Sequence, residues 1–148
     1  FAEDEARLLI DAAPTPEALE RMAGRRVAGL PLEHILGWAE FCGLRIAVDT
    51  GVFVPRRRTE FLVRQAAALL DGGRLALSAG PAPVVVDLCC GSGAVGAALA
   101  ALAGPAELHC ADIDPAAVAC ARTNVLPLGG EVHEGDLYAP LPAGLRGR

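Results

Sequence analysis

The sequence predicts an α/β fold built on a parallel sheet, with a small helical segment ahead of it, and three observations carry that prediction. Val84, Val85 and Val86 form an unbroken β-branched run, the composition of a strand buried on both faces. Gly91, Gly93 and Gly96 then form Gly-x-Gly-x-x-Gly, and the Ala- and Leu-rich run 94–103 has helical character, so the loop joins a strand to a helix N-terminus. A second strand-like run, 107–111, leads to Asp112, roughly 20 residues after the first glycine, where a carboxylate can grip ribose hydroxyls. Glycine is common here, with 17 in 148 residues, so the loop motif alone is weak. Its setting, rather than its spelling, argues for a nucleotide-type ligand over a plain strand-to-helix turn.

Asp87 selects among nucleotides. A dinucleotide sets its pyrophosphate over such a loop, and a carboxylate at the end of the strand opposes that charge at close range. S-adenosylmethionine sets a methionine moiety there, whose ammonium favours a nearby acid while its carboxylate can sit near the helix N-terminus. The acid therefore favours the methyl donor.

The chain is long enough for one domain, or one domain with an appendage, and its 53% hydrophobic content can fill a core. Net charge is −5, so the overall balance does not argue for nucleic acid, although every basic residue is Arg. Five cysteines (Cys42, Cys89, Cys90, Cys110 and Cys120) include no C-x-x-C pair, and reduced thiols in a cytoplasmic protein are the expectation. A metal at Cys89 and Cys90 would need two further ligands; His109–Cys110 is the nearby choice, the spacing fits no ligand motif, and no metal is expected. The amino end is acidic, unlike a signal peptide, and the uncharged segment 88–106 is too Ala- and Gly-rich for a membrane span.

In chain order, 2–13 and 16–29 read as two short helices, the second entered at Thr15 with Pro16 in its first turn. A short turn over 31–36 follows. Leu8, Leu9, Leu19, Met22 and Leu30 would form a small apolar seam, with Arg21, Arg25 and Arg26 as a solvated basic edge. Segments 41–48 and 51–54 read as a β-hairpin around Asp49-Thr50-Gly51. Thr59 is placed to cap a helix over 60–70, ended by Asp71-Gly72-Gly73. Asp114 caps a further helix from Pro115 to about residue 125, and a third strand is placed at 131–134. Asp136 would close that strand as Asp87 and Asp112 close the first two. Three carboxylates then share the carboxyl edge of the sheet, where open α/β folds bind ligands.

The run PLEHILGWAEFCGLRIAVDTGVFVPRRRTEFLV (31–63), then VVVDLCCGSGAVG, ADIDPAAVACARTN and GDLYAPL, resembles the protein glutamine methyltransferases that modify peptide chain release factors, the HemK family. The likeness covers nearly the whole chain. Its loop and acidic strand ends are common to S-adenosylmethionine-dependent methyltransferases, whereas the segment 31–60 is specific to this family. The resemblance implies a Rossmann-like S-adenosylmethionine-dependent methyltransferase fold with a partial parallel sheet, preceded by a small N-terminal helical domain (1–38) that contacts the release factor and a β-hairpin linker (39–58). The Rossmann-like part occupies 59–148. Asp87 with Cys89, Cys90, Gly91, Ser92 and Gly93 would hold the methionine end of the cofactor. Asp112 would bind the ribose, Asp136 and Leu137 would flank the adenine, and Ile113 would also contact the cofactor. Arg56, Thr59 and Glu60 fall in a motif close to the site.

Four departures from that family matter. Cys89 stands where the family has the first glycine of its loop, so either the backbone avoids a glycine-only conformation or the cofactor sits differently. Arg57 and Arg58 replace a proline and an acid. Leu137 replaces an aromatic residue, exchanging stacking for weaker apolar contact. The Asn-Pro-Pro-Tyr motif that grips the substrate amide is not found; the one asparagine is Asn124, which together with the missing first Met predicts a fragment.

A carboxamide nitrogen is a poor nucleophile, so methyl transfer to it depends on alignment and on acceptors for its N–H groups. His34, His109 and His133 are scattered and are expected at the surface or sheet edge, and no catalytic residue is assigned. The favoured function is methylation of a release-factor glutamine. The alternatives are the same cofactor with RNA or another protein as acceptor, a non-catalytic S-adenosylmethionine-binding module, and, last, a nicotinamide dehydrogenase, which Asp87 opposes.

Overall fold

Proline at the first turn and a capping hydroxyl start the second helix as the sequence implies: Thr15 Oγ1 accepts the Ala18 N–H at 3.2 Å. The computed structural model of the chain describes residues 2–76, 82–103 and 106–147. It opens with α1 (Ala2–Ala12), α2 (Pro16–Val27) and the short α3 (Leu32–Leu36). Leu9 is buried between them, but Leu8 turns outward, so the apolar seam is narrower than the pattern implied. Arg26 on the basic edge is partnered as well as solvated, with its side chain 38% exposed. Its guanidinium grips both oxygens of Glu5 at 2.7 and 3.2 Å, tying α2 to α1.

The hairpin lies earlier than the sequence implied. Strand β1 (Trp38–Phe41) pairs antiparallel with β2 (Leu44–Ala47), and the turn is Cys42-Gly43 rather than Asp49-Thr50-Gly51. Cys42 and Gly43 both have positive φ, 52° and 75°, as a two-residue turn matching strand twist requires. Residues 51–54 form no strand but a turn and loop. Arg57–Thr59 make a single 3₁₀ turn, so Thr59 sits inside a turn instead of capping α4. Helix α4 (Glu60–Ala76) also runs through Asp71-Gly72-Gly73, where a stop was expected.

Strands β3 (Val84–Leu88), β4 (Glu107–Asp112) and β5 (Glu131–Glu134) form one parallel sheet in that order, joined by α5 (Ala94–Leu102) and α6 (Pro115–Val125). The hairpin, α4 and α5 share one core through Phe41, Ile46, Val48, Val63 and Ala98. Leu108 and Cys110 of β4 pack with Ala121 and Val125 of α6 in a second. Both cores meet behind the loop that follows β3. That places the loop between the sheet and the hairpin.

Candidate functional site

Asp87 is the fourth residue of β3, and the carboxylate is fixed from the helix that follows. Gly96 N–H donates to its Oδ2 at 2.9 Å. Only glycine permits this approach, because a Cβ at Gly96 would lie 2.7 Å from Cys110 Sγ and 3.2 Å from Leu108 Cδ1. Gly93 is doubly required: its φ is +73°, and a Cβ there would meet Val125 Cγ2 at 2.8 Å. Cys89 has φ 55°, in the left-handed region that glycine enters freely and other residues adopt only uncommonly.

Asp112 is held differently. Its Oδ2 accepts Gly91 N–H at 2.8 Å and its Oδ1 accepts Asp114 N–H at 3.0 Å, so the backbone orients both oxygens. Asp114 in turn caps α6 through Ala116 N–H at 2.9 Å. Burial pushes the Asp87 carboxyl from its ordinary 3.8 up to about 6; the Gly96 hydrogen bond works against the rise, and the Asp112 charge adds to it. The pair is a site short of positive charge.

These groups face a cavity of about 400 Å³ with two walls. One wall is the sheet edge, with Asp87, Cys89, Cys90, Gly91, Ser92, Asp112 and Asp114. The other comes from the hairpin and the loop after it, with Phe41, Val52, Phe53, Pro55, Arg56 and Thr59. Arg56 lies over the Phe53 ring at 5.4 Å. Gly93 supports the loop from behind. Ile113, Asp136 and Leu137 lie outside the cavity lining and are exposed, Leu137 with φ 45°. Glu60 also lies outside it; one of its oxygens accepts Cys42 N–H at 3.3 Å and the other pairs with Arg64. Arg57 reaches away to Glu40, and Arg58 is exposed.

Two residues that set this geometry were not singled out from sequence. Asn124 Oδ1 accepts Ala47 N–H at 2.8 Å, while its Nδ2 donates to Ala47 O at 2.9 Å and to Ser92 O at 2.8 Å, clamping the hairpin to the loop. The signal was present, since Asn124 continues the helical spacing of the buried Ala117, Cys120 and Ala121. Phe53 carried no such signal, having been placed in a strand. His34 Nε2 donates to Val52 O at 2.8 Å and anchors the second wall. His109, expected at a surface or edge, is buried on the central strand.

A family model described as "Methyltransferase small domain" matches residues 63–144, more than half of the chain. The chain belongs to the methyltransferase small domain family. Within this methyltransferase family the chain is 38% identical over 140 residues to a "Release factor glutamine methyltransferase" of Mycolicibacterium smegmatis, covering 93% of this chain and 47% of that protein. It is 40% identical over 133 residues to the protein of the same name from Bordetella pertussis, covering 88% and 47%. It is also 35% identical over 131 residues to a "4-amino-L-phenylalanine/4-methylamino-L-phenylalanine methyltransferase" of Streptomyces pristinaespiralis, covering 88% and 44%. The chain spans about half the length of the curated relatives it matches. Among the described residues, no helix of this methyltransferase domain is long and apolar enough to cross a membrane.

Proposed function

We propose that this methyltransferase domain binds S-adenosylmethionine in the two-walled cavity and forms the cofactor-binding part of a cytoplasmic enzyme that methylates a glutamine side chain of a peptide chain release factor. The observation that carries the proposal is the pair of carboxylates at adjacent strand ends, one of them pushed to about 6 by burial, facing a single cavity. A ligand bearing an ammonium relieves that charge; a pyrophosphate aggravates it. Asp87 and the Cys89–Gly93 loop would hold the methionine end, Asp112 the ribose hydroxyls, and Ile113, Asp136 and Leu137 the adenine along the same sheet edge. Arg56 and Thr59 close the opposite side. When bound, the cofactor supplies an electrophilic methyl on a sulfonium, and this chain's residues orient it and exclude water from one face.

A release factor is supported as the acceptor by the relatives named for it, which cover 93% and 88% of this chain. Residues 1–38 would then meet the protein substrate, 39–58 link the two parts, and 59–148 serve the cofactor. A second acceptor class is favoured by the Streptomyces pristinaespiralis relative, which covers 88% of this chain and is named for an aryl amine in place of an amide. Acidic net charge argues against nucleic acid as acceptor.

Calorimetric titration of this chain with S-adenosylmethionine tests the cofactor reading. Saturable binding is expected, lost in Asp112→Ala and absent with NAD. No binding by a folded chain, or equal binding of NAD, would overturn it. The acceptor is tested with the full-length protein and a release factor, where mass spectrometry should find one added methyl on a glutamine.

A further inference from the structure

The sheet face turned away from α5 and α6 carries a group of side chains that the proposed reaction does not use. Strand register sets His109 of β4 beside Glu131 of β5 and puts His133 two residues further along the same face. His109 Nδ1 lies 3.0 Å from His133 Nε2, and Glu131 Oε2 lies 3.8 and 3.6 Å from those two nitrogens. Across the His109 ring, Nε2 lies 3.2 Å from Glu107 Oε1. A carboxylate only accepts, so His109 keeps its proton on Nε2 and turns the Nδ1 lone pair toward His133. The side chain of His109 is 3% exposed, that of His133 16% and that of Glu131 63%, so the group is anchored inside and open to solvent on one side.

We propose that His109 Nδ1, His133 Nε2 and Glu131 Oε2 bind a divalent first-row transition ion, zinc foremost, with solvent completing the shell. A tetrahedral ion with bonds of about 2.0–2.1 Å separates its ligand atoms by roughly 3.3 Å. The three separations here straddle that value, so small side-chain rotations suffice. Two imidazoles with one carboxylate suit zinc, and Glu107 behind His109 is the outer carboxylate that fixes the tautomer of a ligating histidine. On binding, the ion takes the place of the proton shared by the two rings, and that proton moves from His133 Nε2 to its Nδ1. Among the described residues this is the one group of His, Cys, Asp or Glu side chains close enough to share an ion. An ion there would fasten the edge strand β5 to β4. The spacing from His109 to Glu131 and His133 is no ligand motif, and only the strand pairing creates the site.

The test titrates the folded chain with Zn²⁺ against a chromophoric chelator, records the Co²⁺ spectrum, and follows imidazole signals by NMR. One equivalent should bind, the Co²⁺ spectrum should lack a thiolate charge-transfer band, and His109 and His133 should shift while His34, committed to Val52 O, stays. Glu107→Gln should weaken binding about 10-fold, within the range for outer-shell partners. Glu131→Gln and His133→Ala should each weaken it by more. Glu131 is exposed, so its variant keeps the test open if His133→Ala does not fold. A thiolate band, movement of His34 in place of the other two, unchanged affinity in Glu131→Gln, or no binding by the folded chain would each overturn the proposal.

Discussion

The two walls of the cavity are held by different physics. The sheet-edge wall rests on close packing: Gly96 and Gly93 let α5 and the loop press against Cys110, Leu108 and Val125 with no room for a methyl group. The hairpin wall shares the apolar core through Phe41, Val48 and Val52 and is fastened in addition by side chains reaching backbone groups, with Asn124 on Ala47, Glu60 on Cys42 and His34 on Val52. A side chain added at a glycine of the first wall should therefore disrupt the fold as a unit, whereas cutting one tether of the second should loosen it locally while its core contacts remain.

The contrast is broken most severely by Gly96→Val, whose side chain must displace Cys110 and Leu108 and separate α5 from Asp87. A loss of about 3 kcal/mol is expected, read as a lower denaturant midpoint with global unfolding. Asp87→Asn acts on the same wall in the opposite direction. Because the folded carboxyl titrates near 6 and the unfolded one near 3.8, the folded chain holds a proton that the unfolded chain has lost between those values. Stability thus falls as pH rises through that window, and the deficit is complete above it. The Asn variant keeps an acceptor for Gly96 N–H, should be more stable at pH 7.5 by on the order of 2 kcal/mol, and should show no such slope in urea midpoints. Asn124→Ala tests the second wall and has the smallest effect, about 1.5 kcal/mol. Hydrogen exchange should speed at the Ala47 amide while β4 amides keep their protection; equal loss in both would erase the distinction between the walls.

Legibility followed the same division. The strand, glycine loop, helix and Asp112 were readable because their signals are local and each has a steric cause, as Gly96 against Cys110 shows. The hairpin was misplaced because Asp49-Thr50-Gly51 is the stronger turn signal by composition, while the real turn puts Cys42, a residue with no turn preference, at φ 52°. Helix α4 crossed two glycines that each cost about 1 kcal/mol, a penalty too small by itself to end a helix. Helical spacing puts Asn124 on the buried face of α6, but its partner Ala47, like the pairing of His109 with His133, lies across 77 and 24 residues respectively, and no local pattern names such partners.

Trp38, the single tryptophan, lies on β1 with the Arg45 guanidinium 4.1 Å above its ring. A cation held against an indole quenches and shifts its emission, and no second indole in the chain dilutes the signal. Fluorescence excited where Tyr138 does not absorb therefore reports on the hairpin, so loosening of that wall can be watched optically while the sheet beneath remains silent.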